Sequence, residues 1–283
     1  MADRSHYAPG HCMALTDHLV LDGWALVLGA SSGFGSACAI ELARAGCDVA
    51  GVHFDRRATL PSADRTVQQI QALGREAQFY NRNAADPANR GVILDDLQAR
   101  FMQPGGVPRI RVVLHSLAFG TLLPFVSDDP DEQMGIRQLQ MTGDVMAHSL
   151  VHWVQELVRR GMIGRGGRVF AMTSTGAWAA WKGYGAVSAA KAALEAHVRQ
   201  LALELAPAGI TVNAICAGVT DTPALRKIPT CEAMIEVALR KNPHHRLTTP
   251  ADVAGALVAL AQPCTYWMTG NVIQIDGGEA IAG

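Results

Sequence analysis

Residues 25–35 read ALVLGASSGFG, and this stretch decides the fold. Its first four residues form an apolar run typical of a strand, and a helical pattern follows from Ser36. Between them, Gly29 permits a tight turn, Gly33 lets backbone approach a pyrophosphate, and Gly35 lets the helix pack closely on the sheet. The glycine spacing differs from the common G-x-G-x-x-G. The stretch predicts a dinucleotide-binding turn, with a purely structural turn as the alternative; its predicted cofactor contacts are Gly29, Ser31, Ser32, Gly33, Phe34 and Gly35.

The alternation of short β-type runs and longer helical patterns continues along the chain. This order is typical of a parallel sheet covered by helices on both faces. The strands are predicted at residues 25–28, 49–54, 77–80, 110–114, 168–172, 210–215 and 271–275. The helices are predicted at residues 36–45, 63–73, 88–101, within 133–160, 184–205 and 251–261, with a Pro/Gly loop at 104–108. The sequence therefore predicts a doubly wound α/β fold with a seven-stranded sheet.

The pattern fits a single domain over residues 21–283, with residues 1–20 as an extension outside the fold. Domains of this class commonly reach about 250 residues. Residues 223–246 lie between the last two predicted strands without clear regularity. We therefore treat residues 223–246 as a candidate substrate lid.

Composition excludes several classes of protein. Hydrophobic residues make up 49% of the 283 residues, charged residues 17%, and the formal net charge is −1. Without a basic block, the chain is not expected to bind nucleic acid or a membrane surface. It has no apolar stretch of the ~18 residues that span a bilayer. The six cysteines form no C-x-x-C pair or metal-like cluster, so we expect no metal site and reduced thiols in a cytoplasmic protein.

The end of the second predicted strand bears on the choice of cofactor. An NAD site usually places a carboxylate there for the ribose 2′-hydroxyl, but this sequence has His53. Arg56 and Arg57 follow and could pair with a 2′-phosphate. Asp55 could neutralise one of them, and two solvated surface arginines are the alternative. The pattern favours NADP(H) over NAD(H).

Several motifs together resemble the short-chain dehydrogenase/reductase superfamily. They are residues 29–35, the helix that holds Lys191, the strand end Val212-Asn213-Ala214 and the triplet Asp276-Gly277-Gly278, and the resemblance covers about residues 20–280. The superfamily's usual catalytic set is Ser, Tyr and Lys, with the Tyr four residues before the Lys. Here Lys191 matches, but Val187 stands at the tyrosine position. Tyr184, seven residues before Lys191, still shares its helix face.

The Tyr-x6-Lys spacing is similar to that of enoyl-acyl-carrier-protein reductases, a divergent branch of the superfamily. The stretch His115-Ser116-Leu117-Ala118-Phe119 is similar to their His-Ser-x-x-Phe, and His115 itself is more typical of a packed histidine than of an acid or base. Ser174 matches the ordinary superfamily serine instead of a second tyrosine. A subgroup of NADPH-dependent enoyl reductases keeps this serine, and the chain resembles that subgroup most.

The resemblance implies hydride transfer from NADPH to an enoyl thioester of coenzyme A or an acyl carrier protein, in a homotetramer or homodimer. It implies three catalytic residues, Tyr184, Lys191 and Ser174, with Lys191 also holding the cofactor. Further implied cofactor contacts are Asn83, Ala84, Ser116, Leu117, Gly218, Val219, Thr220 and Thr222. Ala118, Phe119, Trp178 and Trp181 would contact substrate, although the two tryptophans could equally pack a helix. The alternatives are a carbonyl reductase or alcohol dehydrogenase, and a non-catalytic cofactor-binding sensor or scaffold.

Overall fold

The computed structural model describes residues 19–101 and 110–282. Within these ranges seven strands form one parallel sheet in the order β3-β2-β1-β4-β5-β6-β7. The strands are β1 (Trp24–Leu28), β2 (Asp48–His53), β3 (Ala77–Asn81), β4 (Ile110–His115), β5 (Arg168–Thr173), β6 (Thr211–Ala217) and β7 (Val272–Ile275). The doubly wound α/β prediction is confirmed.

The helices lie between these strands in the predicted alternation. They are α1 (Gly33–Arg44), α2 (Leu60–Ala72), α3 (Pro87–Phe101), α4 (Ile136–Gly143), α5 (Ser149–Arg159), α6 (Gly185–Leu205), α7 (Cys231–Lys241) and α8 (Pro250–Leu260). A π-helical turn, Asp144–His148, joins α4 to α5. Among the described residues, no helix has both the length and the apolar character needed to cross a membrane.

Alternate side chains of each strand build two cores, one on each face of the sheet. Leu26 and Leu28 of β1 pack in a cluster with residues of α3, α5 and α6. Their neighbours Ala25 and Val27 pack in a second cluster with residues of α1 and α8. Because both faces are covered, the strands β1, β5 and β6 are buried along their whole length. The strand order reverses between β1 and β4, and ligands bind at such a point, beyond the carboxyl ends of the strands.

Two predictions about regularity were wrong. The candidate lid, residues 223–246, contains α7, of which only Ala238 is buried. The single long helix within 133–160 is two helices joined by the π turn, where the hydroxyl of Ser149 donates to the Val145 carbonyl. The Pro/Gly loop 104–108 and all but the last two residues of the extension 1–20 lie outside the described residues.

Candidate active site

The glycine-rich turn joins β1 to the N-terminus of α1. Gly29 has a φ of +94°, and a Cβ there would overlap the carbonyl of Ser116 from the neighbouring strand. A Cβ at Gly35 would overlap the Gly29 carbonyl oxygen. These two glycines let the turn fold back against β4 and let α1 start close to the sheet. The helix begins at Gly33, three residues earlier than predicted.

The open end of this turn fits the pyrophosphate of a dinucleotide. Ser32 occupies the N-cap of α1 without a side-chain capping bond, and the first turn of α1 carries no acidic residue. The backbone N–H groups of a helix start are an anion site. A Cβ on Gly33 would lie 3.5 Å from the Thr222 methyl group, so the turn faces the loop that follows β6. Phe34 packs against the second core cluster, which leaves only its backbone for the ligand.

Asp55 lies just after β2, where the sequence predicts the adenosine end of the cofactor. The Asp55 carboxylate lies 2.8 Å from Nδ1 of the buried His53 ring. Burial acts to raise the pKa of Asp55, but nearby hydroxyls of Thr59 and Ser31 and the His53 ring outweigh it and hold this pKa below its usual value. Asp55 therefore pairs with His53 and faces the glycine turn instead of neutralising an arginine. Arg56 and Arg57 are exposed beside it.

This arrangement predicts opposite effects of two changes on cofactor choice. Replacing Arg56 and Arg57 together by Ala is expected to raise the KM for NADPH about 10- to 100-fold, since a charge-assisted hydrogen bond is worth about 1.5–3 kcal/mol. Asp55→Asn is expected to lower the KM for NADPH by removing a negative charge. NADPH and NADH kinetics on each variant check this. If the KM for NADH rose by the same factor in the double variant, the arginines would not bind the 2′-phosphate.

The other predicted adenosine-side contacts differ in accessibility. The Asn83 amide oxygen accepts from the Ala85 N–H at 3.0 Å, which shapes the turn after β3. Ala84 is 4% exposed and sits in the first core cluster, and its carbonyl accepts from the Trp153 indole at 2.8 Å. Its side chain therefore packs in the core. Leu117 is partly buried, and the Ser116 N–H donates to the Leu28 carbonyl at 2.8 Å.

Tyr184 and Ser174 meet beyond the carboxyl end of β5. Tyr184 precedes the first residue of α6, and Ser174 directly follows β5. A Cβ on Gly176 would lie 2.7 Å from the Tyr184 ring and 3.1 Å from Ser174 Oγ. Burial raises the pKa of Tyr184, and the nearby Ser174 hydroxyl lowers it in part. Ser174 Oγ is buried, and among the described residues no partner lies at hydrogen-bonding distance and angle. The hydroxyl can therefore bind an oxygen atom of a ligand.

Lys191 extends from α6 to the same end of β5. Its Nζ donates to the carbonyl of Met172 at 2.6 Å, two residues before Ser174. The residue is 6% exposed. Burial lowers the pKa of Lys191 to about 8, and Glu195 and Cys216 oppose the shift. An ammonium has three donors, so two remain for a ligand after the Met172 bond.

The usual tyrosine position and the predicted packed histidine both lie in the protein interior. Val187 is 5% exposed, and a Cβ on Gly120 would come within 3.2 Å of it. His115 is fully buried, with Nε2 2.8 Å from Ser149 Oγ. Burial, with a smaller effect of the Lys191 charge, lowers the pKa of His115 to about 3. The ring is therefore neutral and fixed in place.

The loop after β6, residues 218–222, is tightly packed. A Cβ on Gly218 would overlap Thr248 Oγ1 and lie 2.9 Å from Glu279 Oε2. Thr220 and Thr222 are buried, and the Thr222 hydroxyl accepts from the Leu225 N–H at 3.2 Å. The loop lies beside the glycine turn through Thr222, whose methyl group faces Gly33, while the Thr220 hydroxyl donates to the Gly218 carbonyl at 3.0 Å. Glu279 could not be identified from the sequence, because no local pattern marks it.

The side chains predicted to contact substrate differ in exposure. Phe119 is 62% exposed and Trp178 56% exposed, whereas Trp181 is partly buried. Ala118 is exposed just before Phe119. Phe125, which the sequence analysis missed, lies against the start of α6, where a Cβ on Gly185 would come within 2.7 Å of its ring. Phe119 and Trp178 thus contribute exposed apolar surface, and Phe125 lies next to the residue that follows Tyr184.

The remaining candidate ligands fall outside this site. His244 and His245 lie after α7, and His245 has a positive φ of 53°. In the described part of the chain, no group of three or more His, Cys, Asp or Glu side chains is placed to hold a metal ion. Burial raises the pKa values of Cys38, Cys47 and Cys216 to about 12, so these three thiols stay protonated.

Comparison with known families and proteins agrees with this geometry. The family model described as enoyl-(acyl carrier protein) reductase matches residues 29–279. A 1-cyclohexenylcarbonyl-CoA reductase of Streptomyces collinus is 27% identical over 90% of this chain and 86% of that protein. A 3-oxoacyl-[acyl-carrier-protein] reductase of Pseudomonas aeruginosa is 29% identical over 90% of this chain and 96% of that protein.

A solved structure bears on the cofactor. The short chain dehydrogenase from Burkholderia cenocepacia in complex with NADP superimposes with a TM-score of 0.76 at 28% identity, covering 93% of this chain and 99% of that one. The names of these similar proteins span reduction of C=C and C=O bonds.

Proposed function

This chain belongs to the short-chain dehydrogenase/reductase superfamily, and from that premise we propose that it uses NADPH to reduce the C=C bond of an enoyl thioester. The superfamily makes it a nicotinamide-dependent oxidoreductase. The finer assignment concerns the substrate. The assignment of the substrate depends on the position of the hydroxyl donor relative to Lys191.

The observation that carries the proposal is the position of the phenol. Tyr184 is partly buried beside Ser174, while Val187, at the position of the usual tyrosine, is enclosed in the core. The phenol is thus set back by nearly one helical turn. In ketone reduction the hydroxyl must meet the oxygen bonded to the carbon that accepts hydride. In enoyl reduction the thioester oxygen lies two carbons farther away, and a displaced phenol suits that distance.

Each residue of the site would have its own role in this reduction. When bound, the reduced nicotinamide supplies the hydride. Negative charge then develops on the thioester oxygen, and preorganised donors at that oxygen stabilise it. Tyr184 would donate a hydrogen bond there and act as a proton source. The buried ammonium of Lys191 would hold the ribose and favour negative charge nearby. Ser174, with its free hydroxyl, would orient the substrate or the phenol.

The carrier of the acyl group is either coenzyme A or an acyl carrier protein. The names of the two similar proteins support these two carriers, one each. The exposed rings of Phe119 and Trp178 would contact the acyl chain.

A second candidate function is reduction of a 3-oxoacyl thioester. Ser174 favours it, because the serine stands where the carbonyl reductases of the superfamily have theirs. The 29%-identical 3-oxoacyl-[acyl-carrier-protein] reductase points the same way. Under this alternative Tyr184 would have to reach the ketone oxygen directly.

Paired substrates separate the two functions. Crotonyl and acetoacetyl thioesters, on coenzyme A and on acyl carrier protein, are each offered with NADPH while its absorbance is followed. We expect kcat/KM for the crotonyl thioester to exceed that for the acetoacetyl thioester by at least about 10²-fold, the range that one well-placed donor provides. Turnover of the keto substrate alone would overturn the enoyl assignment and leave the second function.

A further inference from the structure

The chain folds back on the cofactor loop after β7. The Asp276 carboxylate accepts from the Gly278 N–H at 2.9 Å and from the Ala280 N–H at 2.8 Å. These two bonds close a turn in which Gly277 and Gly278 have φ values of +63° and +86°. The turn directs Glu279 inward, so that this residue is only 8% exposed.

The Glu279 carboxylate holds the first residues of the loop 218–222. The Val219 N–H donates to Glu279 Oε2 at 3.1 Å and to Oε1 at 3.3 Å. Gly218 lies between this carboxylate and Thr248, with no room for a side chain. A buried carboxylate is costly unless it is hydrogen-bonded. The Val219 N–H therefore offsets part of the cost of burying the carboxylate and is itself fixed in direction by it.

The same turn is bound to the end of the lid helix α7. The Asn242 side chain, directly after α7, donates to the Asp276 carbonyl at 2.9 Å. Burial raises the pKa of Glu279, the Val219 N–H and the Lys241 charge lower it in part, and Asp276 raises it further. Lys241 is the last residue of α7. The helix end, the turn and the cofactor loop thus meet around one carboxylate.

We propose that Glu279 is a positioning residue: through the Val219 N–H it sets the 218–222 loop in the conformation that binds the nicotinamide end of the cofactor, and it ties that loop to the lid. The inference rests on the proposed function, in which residues 218–222 contact the cofactor. Glu279 does not itself touch substrate or cofactor. Its effect on them passes through the backbone of Val219.

Two substitutions separate the effect of the length of the Glu279 side chain from the effect of its charge. Glu279→Gln keeps an acceptor oxygen at the same distance but removes the charge, whereas Glu279→Asp keeps the charge and withdraws the carboxylate by one methylene. We expect the Kd for NADPH, measured by quenching of tryptophan fluorescence, to rise about tenfold in Glu279→Asp, the loss of one such bond. We expect it to stay within about twofold of the wild type in Glu279→Gln. In Glu279→Asp the KM for NADPH should rise with the Kd while kcat falls less.

The control is Ile93→Val, a change in the core away from the loop that lowers Tm without touching this turn. If Ile93→Val weakens NADPH binding as much as Glu279→Asp at an equal loss of Tm, the effect is general destabilisation and the inference is wrong. It is also wrong if Glu279→Asp binds NADPH as the wild type does, or if Glu279→Gln is the weaker binder. A wild type that binds no dinucleotide at all would instead refute the proposed function.

Discussion

Tyr184→Phe is expected to lower kcat for the reduction of an enoyl thioester by about 10²- to 10³-fold, the usual loss when one donor to a developing oxyanion is removed. The phenyl ring keeps the contact with Gly176, so the fold and the entrance to the site should be retained. Only the hydroxyl beside Ser174 is lost. Steady-state kinetics with crotonyl thioester and NADPH, together with the Kd for NADPH, measure the effect. We expect that Kd to be unchanged.

The matched control is Tyr266→Phe. Tyr266 is 60% exposed in the segment after α8 and stacks edge-on with Trp267, so loss of its hydroxyl should leave kcat unaltered. If Tyr184→Phe also kept the full rate, the phenol would have no part in catalysis. The enoyl assignment would then lose its proton donor.

The order of the strands could be predicted from the sequence because it depends on local alternation and on right-handed crossovers, which leave few topologies open. The helix starts were less accurate. The pattern of apolar residues predicts α1 from Ser36, but its first turn begins earlier and contains Gly33 and Gly35. Glycine has no side chain to add to the apolar pattern, so the first turn of the helix was predicted as part of the preceding turn.

The helix α7 was missed for a different physical reason. Ala238 is its one buried residue, so its sequence has no strong apolar stripe facing a core. A helix that lies on the surface is held by its ends and by ion pairs such as Arg226 to Glu232. Periodicity cannot reveal such contacts.

The nearness of the three candidate catalytic residues could be predicted because they are close in sequence and fall at one end of a strand and the start of the next helix. Lys191 lies on α6, Tyr184 directly precedes this helix, and Ser174 directly follows β5. The partners of Asp55 and Val219 could not be predicted. Asp55 binds His53 where an arginine was considered, and Glu279 binds Val219 across 60 positions of the chain. Such hydrogen bonds depend on the tertiary packing, since many side chains could have filled either role.

Lys191→Met is expected to lower kcat/KM for NADPH by about 10²-fold or more and yet not to lower Tm. Burial lowers the pKa of Lys191 from 10.5 to about 8, so the folded state disfavours the ammonium. That destabilisation is fully present below pH 8 and is relieved as the pH rises from 8 to 10.5. A shift of this size corresponds to about 3 kcal/mol, which Met would recover. The unbound Met172 carbonyl offsets part of the gain, about 1–3 kcal/mol.

In Lys191→Met the activity should fall while Tm does not. This combination makes the test decisive, because unfolding cannot account for a loss of activity in a variant that is no less stable. Since kcat/KM reports the free enzyme, the wild type should hold a constant value below about pH 8 and lose about tenfold per unit above it. Lys191→Arg, which keeps its charge at all these pH values, should show no such fall, whatever its absolute rate. A fall above pH 8 that persists in Lys191→Arg would belong to another group. In that case Lys191 would be a structural residue that binds the Met172 carbonyl, and the cation of the site would have to be sought elsewhere.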